Sequence, residues 1–158
     1  MAVDKAIELR LSDGTLVPGS TTILKQLDKP FLVKWANKLG KEGKDVTEYV
    51  NNSAKLGTLI HSIVESHLLK QEIDVSNYTD DELTLAELAF GRYMAWENQH
   101  TIENVEVEKV LVSETYKYGG SIDIYCKLDG VYTVIDLKTS KSVSLDQAIQ
   151  VSSYEQLV

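Results

Sequence analysis

Gly119-Gly120-Ser121-Ile122-Asp123-Ile124-Tyr125-Cys126-Lys127-Leu128, then Asp129-Gly130, then Val131-Tyr132-Thr133-Val134-Ile135-Asp136-Leu137-Lys138-Thr139: this run decides the fold. Residues 121–128 and 131–137 are rich in the β-branched and aromatic side chains that suit a pleated surface. An Asp-Gly pair between two such runs is the strongest short-range signal for a tight hairpin. Side chains alternate along a strand, so Asp136 and Lys138 are expected on one face and Leu137 on the other, in apolar packing. With matching register the hairpin carries Asp123 across from that face. Two carboxylates and an ammonium then converge at one sheet edge.

That trio suits phosphodiester hydrolysis. The reaction wants a hard divalent cation such as Mg²⁺, which prefers carboxylate and carbonyl oxygens. Such an ion lowers the pKa of a water and offsets charge building on phosphate oxygens. A lysine two residues from a ligand orients the water or stabilises the phosphate. Taken alone, D-x-K fits a surface hairpin with a charged rim equally well.

Upstream, residues 55–70 carry Leu56, Leu59, Ile60, Ile63, Val64 and Leu68 at helical spacing. His61 and Glu65 lie four apart, hence on one face at the border of that apolar stripe, where they can offer an imidazole and a carboxylate to one ion. A histidine so placed is also a common packed residue with a single hydrogen bond. His67 and His100 are expected at the surface. Downstream, residues 146–158 read as a helix on which Gln150 and Tyr154 face one direction. An amide and a phenol there can hydrogen-bond phosphate oxygens and stack on a sugar or base.

The order of these pieces, Gly57-x-x-x-His61-x-x-x-Glu65, Gly120-x-x-Asp123, Asp136-x-Lys138 and Gln150-x-x-x-Tyr154, resembles the PD-(D/E)XK nuclease superfamily. More narrowly it resembles the RecB-type and phage-exonuclease branch, and residues 17–36, V-P-G-S-T-T-I-L-K-Q-L-D-K-P-F-L-V-K-W-A, are similar to the leader of phage and prophage members. The resemblance implies an α/β, restriction-endonuclease-like layered fold with a central mixed sheet flanked by helices. It implies His61, Asp123 and Asp136 as metal ligands, with the Leu137 carbonyl a further candidate. Lys138 takes the catalytic role, Glu65 a second metal position or a metal-bound water, and Gln150 and Tyr154 the substrate. Asp136 stands where many relatives carry Glu. The activity implied is a DNA nuclease using one or two Mg²⁺ (or Mn²⁺) ions and leaving a 3′-hydroxyl and a 5′-phosphate. An exonuclease of phage or prophage recombination or DNA processing is favoured, acting in the cytoplasm of a bacterial host. DNA is the expected partner, with a recombination or annealing protein and a homo-oligomer as further options. A restriction-like or structure-specific endonuclease and a catalytically silent DNA-binding scaffold are the alternatives.

Composition fits without deciding. At 158 residues the chain is read as one domain, with 17–56 a helical lead-in and 57–158 the catalytic core. The last residues, Glu155-Gln156-Leu157-Val158, carry no helix-stop signal, so either the core is compact or its C-terminal part is absent. No apolar run reaches membrane-spanning length, the start M-A-V-D-K-A-I lacks a signal-peptide core, and no membrane partner is expected. One cysteine, Cys126, is expected in the core and excludes both a disulfide framework and a four-cysteine iron–sulfur cluster. With no G-x-x-x-x-G-K-S/T in these residues, a helicase–nuclease fusion is not expected.

A net charge of −8 runs against a polyanionic partner. The acids Asp80, Asp81, Glu82, Glu87, Glu97, Glu103, Glu106 and Glu108 are expected away from DNA. Lys25, Lys29, Lys34, Lys38, Lys41, Lys44 and Lys55 form either a basic lobe or ordinary solvated helix faces. In V-E-V-E-K, Glu106 and Glu108 share a face, read as the solvent side. Residues 7–17 read as a small hairpin about the turn 12–15, and 21–27, 30–39 (stopped by Gly40) and 45–51 as helices. Gly57 marks a close approach or a break. Thr79-Asp80-Asp81-Glu82 caps a long helix whose core stripe is read as Leu83, Leu85, Ala86, Leu88, Ala89, Tyr93 and Trp96. Strands follow from 102 to 113 and from 116 onward.

Overall fold

The Asp129-Gly130 hairpin forms as its sequence dictates: φ is positive at both residues, +49° and +89°, the type I′ backbone that glycine admits freely. A computed structural model describes residues 7–27, 29–140 and 142–158 of the chain. The turn joins β2 (Tyr118–Leu128) to β3 (Val131–Ile135), and β1 (Ile102–Ser113) pairs with the other side of β2. All three strands are antiparallel, in the order β1-β2-β3. The expected mixed sheet is therefore corrected among the described residues, where parallel pairing is confined to an isolated bridge between Gly19 and Gly119. Consecutive strands here are joined by short turns, which antiparallel pairs alone accept.

The described residues also form the helices α1 (Ser20–Leu24), α2 (Pro30–Lys41), α3 (Val46–Leu69), α4 (Asp80–Glu97) and α5 (Leu145–Glu155). Asp45 caps α3 by accepting from the Glu48 N–H at 2.8 Å. The helix then runs unbroken through Gly57, so the two helices expected over 45–51 and 55–70 are one. Nothing between them is a proline, and a lone glycine costs a helix only about 1 kcal/mol. The other option for Gly57 holds mildly: a Cβ there would touch Thr139 Oγ1 at 3.8 Å, ordinary contact with the loop after D-x-K. Gly40 does not stop α2, and the chain turns at Gly43. Helix α1 is shorter than the expected 21–27. Thr79 and Glu82 form the reciprocal capping box, with Thr79 N–H donating to Glu82 Oε2 at 2.8 Å.

Leu59 and Ile60 of α3 pack on Ala86 of α4, and Val64, one turn on, packs on Ile124 and Cys126 of β2. The layers are thus α4, α3 and sheet, and Cys126 is core as read. Leu85 and Leu88 leave the expected α4 stripe, 52% and 62% exposed. At 100° per residue the stripe follows Leu83, Ala86, Ala89, Phe90 and Tyr93, and the two leucines fall outside it. The histidines expected at the surface are both tied down. His67 Nε2 meets Glu97 Oε2 at 2.7 Å, and His100 Nδ1 meets Asp129 Oδ2 at 2.6 Å across the hairpin turn. At the start, Leu11 N–H donates to Thr15 O and Val17 N–H to Leu9 O, each at 2.9 Å, closing the small hairpin.

Among the described residues the buried Tyr93 hydroxyl makes no well-formed hydrogen bond, and burial, then the nearby Glu97 charge, push its phenol well above the ordinary range. Glu97 is already engaged by His67. Removing an orphaned buried hydroxyl while keeping the ring relieves a desolvation cost. Tyr93→Phe is expected to raise unfolding free energy by about 1 kcal/mol in a urea titration; a loss of similar size would mean that the hydroxyl has a partner in solution.

Candidate metal centre

Register, counted strand by strand, places three carboxylates in one row. Ile124 pairs with Ile135, so Asp123 stands opposite Asp136, the first residue beyond β3. On the other side Val107 pairs with Ile124 and Lys109 with Ile122, which sets Glu108 opposite Asp123. Glu108, Asp123 and Asp136 therefore cross the sheet as a line. Like charges directly opposite one another on adjacent strands destabilise a sheet, so packing alone does not account for the row. Glu108 also has φ +48°, a left-handed conformation rare for a non-glycine residue inside a strand.

From α3, His61 reaches this row, with Nδ1 3.6 Å from Asp123 Oδ2. One ligand atom each from His61, Glu108 and Asp123 lie within 4.8 Å of one another. Ser121 Oγ donates to Glu108 Oε2 at 2.8 Å, and the Leu137 N–H donates to Asp123 Oδ2 at 2.7 Å, so both carboxylates are oriented. Burial holds the Asp123 carboxyl above the usual carboxylate range. The charge of Asp136 acts the same way, while His61, the Leu137 N–H and Lys138 oppose.

The expected residues do not all meet. His61 and Asp123 converge. Asp136 lies at the end of the row with its side chain 3% exposed and is clamped by Lys138, whose Nζ is 2.6 Å from Asp136 Oδ2. Because β3 ends at Ile135, strand alternation no longer governs Asp136 and Lys138, and their ion pair does. Leu137 contributes its N–H to Asp123. Glu65, partly buried on α3, does not join the convergent atoms.

Gln150 and Tyr154 meet each other: Gln150 Nε2 donates to the Tyr154 hydroxyl at 2.8 Å. Tyr154 is 3% exposed, its ring laid against Gly120, where a Cβ would come within 2.5 Å of Cε1. This burial closes its ring face to a base, which corrects the stacking role read from the sequence. Burial raises the Tyr154 phenol, the hydrogen bond with Gln150 opposes it, and the charges of Asp136, Asp123 and Glu108 add to the rise.

Glu108 is exposed, as strand alternation reads it, yet register sets it in the row, a membership that the sequence reading did not assign. A signal for it existed. If Ser113 and Tyr118 are taken to close a hairpin over residues 114–117, counting back puts Glu108 opposite Asp123, whereas V-E-V-E-K patterning alone gives no register. One imidazole and two carboxylates are donor types that a divalent cation accepts. Of the expected basic lobe, Lys29 pairs with Asp146, Lys44 with Glu42 and Lys55 with Glu82. Among the described residues no helix is long and apolar enough to cross a membrane. Compared with known protein families and with curated proteins, the chain matches none.

Proposed function

We propose that this chain is a metal-dependent DNA nuclease of the PD-(D/E)XK type, with an exonuclease favoured. The observation that carries the reading is the row Glu108–Asp123–Asp136 with His61 beside it and Lys138 at its end. A restriction-endonuclease-like core is part of the same reading, in which β1–β3 carry the acids and α3 and α5 flank them. A role in phage or prophage recombination in a bacterial cytoplasm, with DNA and an annealing protein as partners, follows from the sequence resemblance.

In this reading His61, Glu108 and Asp123 hold one divalent cation, Mg²⁺ or Mn²⁺. When bound, the cation supplies a water of lowered pKa and positive charge for the phosphate oxygens. Leu137 N–H and Ser121 Oγ keep two of the carboxylates aimed at the ion. Asp136 fixes the Lys138 ammonium, which offsets charge developing on the phosphate. Tyr154, held by Gln150 and packed on Gly120 three residues before Asp123, is a positioning residue in this reading. Hydrolysis bonds the water oxygen to phosphorus and breaks the bond to the 3′ oxygen.

The test is digestion of end-labelled linear duplex beside covalently closed circular DNA in Mg²⁺ or Mn²⁺. Loss of the linear DNA alone, abolished by chelator and lowered about 10²- to 10³-fold in Lys138→Ala, is the expected result. Cutting of closed circles would transfer the assignment to an endonuclease. Intact DNA in both lanes, with either metal, would sink the nuclease reading.

A further inference from the structure

A groove of about 640 Å³ opens between α2 and α3 and ends on Thr139 and Ser140, the residues that follow Lys138. Its walls carry Trp35 and Lys38 from α2, Lys44 from the turn after it, and Tyr49 from α3. The two aromatic rings meet edge to face, with centroids 5.9 Å apart and planes at 68°. Both rings line the groove, and Tyr49 is 44% exposed. Lys38 is exposed and makes no ion pair among the described residues, while Lys44 offsets Glu42 at 2.9 Å.

Charge marks the same place. Residues 28–45 carry five lysines (29, 34, 38, 41 and 44) against three acids (Asp28, Glu42 and Asp45), a balance of +2 in a protein whose net charge is −8, with Lys29 and Lys44 paired to Asp146 and Glu42. Aromatic faces interleaved with lysines are what an unpaired polynucleotide needs, bases on the rings and phosphates on the ammonium groups. A duplex has no base face to offer, and a purely electrostatic grip on it would have no use for Trp35 and Tyr49.

We propose that this groove binds single-stranded DNA, stacking bases on Trp35 and Tyr49, and delivers the strand along Thr139 and Ser140 to the carboxylate row. The proposal rests on the nuclease reading and adds to it the form of the substrate: an unpaired strand, or an end frayed into one. Lys38 sets the backbone at the groove, and the Trp35–Tyr49 pair sets the spacing of the bases.

The test measures binding, not cleavage. Fluorescence anisotropy of a labelled oligo(dT) is followed against the whole protein in chelator, with a hairpin-capped duplex of equal charge as comparison. Expected are preference for oligo(dT), weakening of about tenfold in Trp35→Ala, and substantial retention in Trp35→Phe. Lys38→Gln should lower the slope of log affinity against log salt by about 0.7. Equal binding by Trp35→Ala and wild type, equal weakening on duplex and single strand, or no oligo(dT) binding by the wild type would each overturn the proposal. If Trp35→Ala does not fold, Trp96→Phe decides, since it leaves Trp35 as the sole indole. Quenching of its emission by oligo(dT) and not by duplex supports the groove, and unchanged emission overturns it. A protein that binds oligo(dT) through Trp35 yet cleaves nothing would remove the nuclease reading alone. One that cleaves while Trp35→Ala binds normally would remove the groove alone.

Discussion

Asp123→Asn is expected to abolish divalent-cation binding and DNA hydrolysis while making the metal-free protein more stable. The two effects have one cause. Asp123 stands in the middle of three aligned carboxylates, and both its burial and the charge of Asp136 push its pKa up. A carboxyl whose folded pKa is raised above the unfolded value costs stability once pH passes into the range where it ionises, and that cost is absent at lower pH. At neutral pH a neutral isostere removes the cost, and its amide oxygen can still accept from the Leu137 N–H. The gain is about 1 kcal/mol, the upper scale of a directly opposed cross-strand charge pair. The loss is much larger: outer-shell partners alone are worth 10- to 100-fold in metal affinity, so removing a ligand charge should cost about 100-fold or more. Calorimetric titration with Mn²⁺, paired with thermal unfolding in chelator, reads both. Glu108→Gln should lower Mn²⁺ affinity in the same way, since Glu108 shares the convergent ligand atoms. Unchanged Mn²⁺ affinity in both variants would show that the row is not a metal site.

The largest expected loss of stability is at Gly119. A Cβ there would sit 2.6 Å from the Leu111 carbonyl oxygen, 3.0 Å from Val112 Cγ2 and 3.3 Å from Leu9 Cδ2. Leu111 O belongs to the β1 backbone, paired with β2 on both sides of the contact, and it cannot withdraw without opening the ladder. Overpacking of this kind costs about 3 kcal/mol or more when the obstacle is backbone. Gly119→Ala is therefore expected to lower the urea midpoint sharply. Gly40→Ala is its control: no atom lies within 4 Å of a Cβ at that position in α2, and the added helix propensity should raise stability by about 0.5–1 kcal/mol. Similar effects in the two variants would mean that the approach of β1 to Gly119 is looser in solution.

The two glycines that open β2 have separate reasons. Gly119 admits the β1 backbone, and Gly120 admits the Tyr154 ring. The Gly120–Tyr154 contact and the Tyr118 hydroxyl, which donates to the Ser153 carbonyl at 2.6 Å, hold α5 on the sheet.

Local chemistry wrote much of the architecture into the sequence. Asp129-Gly130 dictates a type I′ turn because only residues tolerant of positive φ fit there, and that turn alone sets Asp123 opposite Asp136. Thr79 and Glu82 satisfy the first N–H groups of α4 within four residues of chain, and the apolar spacing of α3 selects Leu59, Ile60 and Val64 for burial. The antiparallel order of the whole sheet, the continuity of α3 through Gly57 and the exposure of Leu85 and Leu88 depend on what each element meets, so local propensity did not decide them. The same divide runs through the site. His61, Asp123 and Lys138 are legible as residue types at suggestive spacing. Glu108 becomes a member only through the pairing of β1 with β2, because alternation assigns faces but not partners. Tyr154 turns from a surface phenol into a buried prop for the same reason: its helix phase places it beside Gln150, but only the docking of α5 on Gly120 takes it out of solvent.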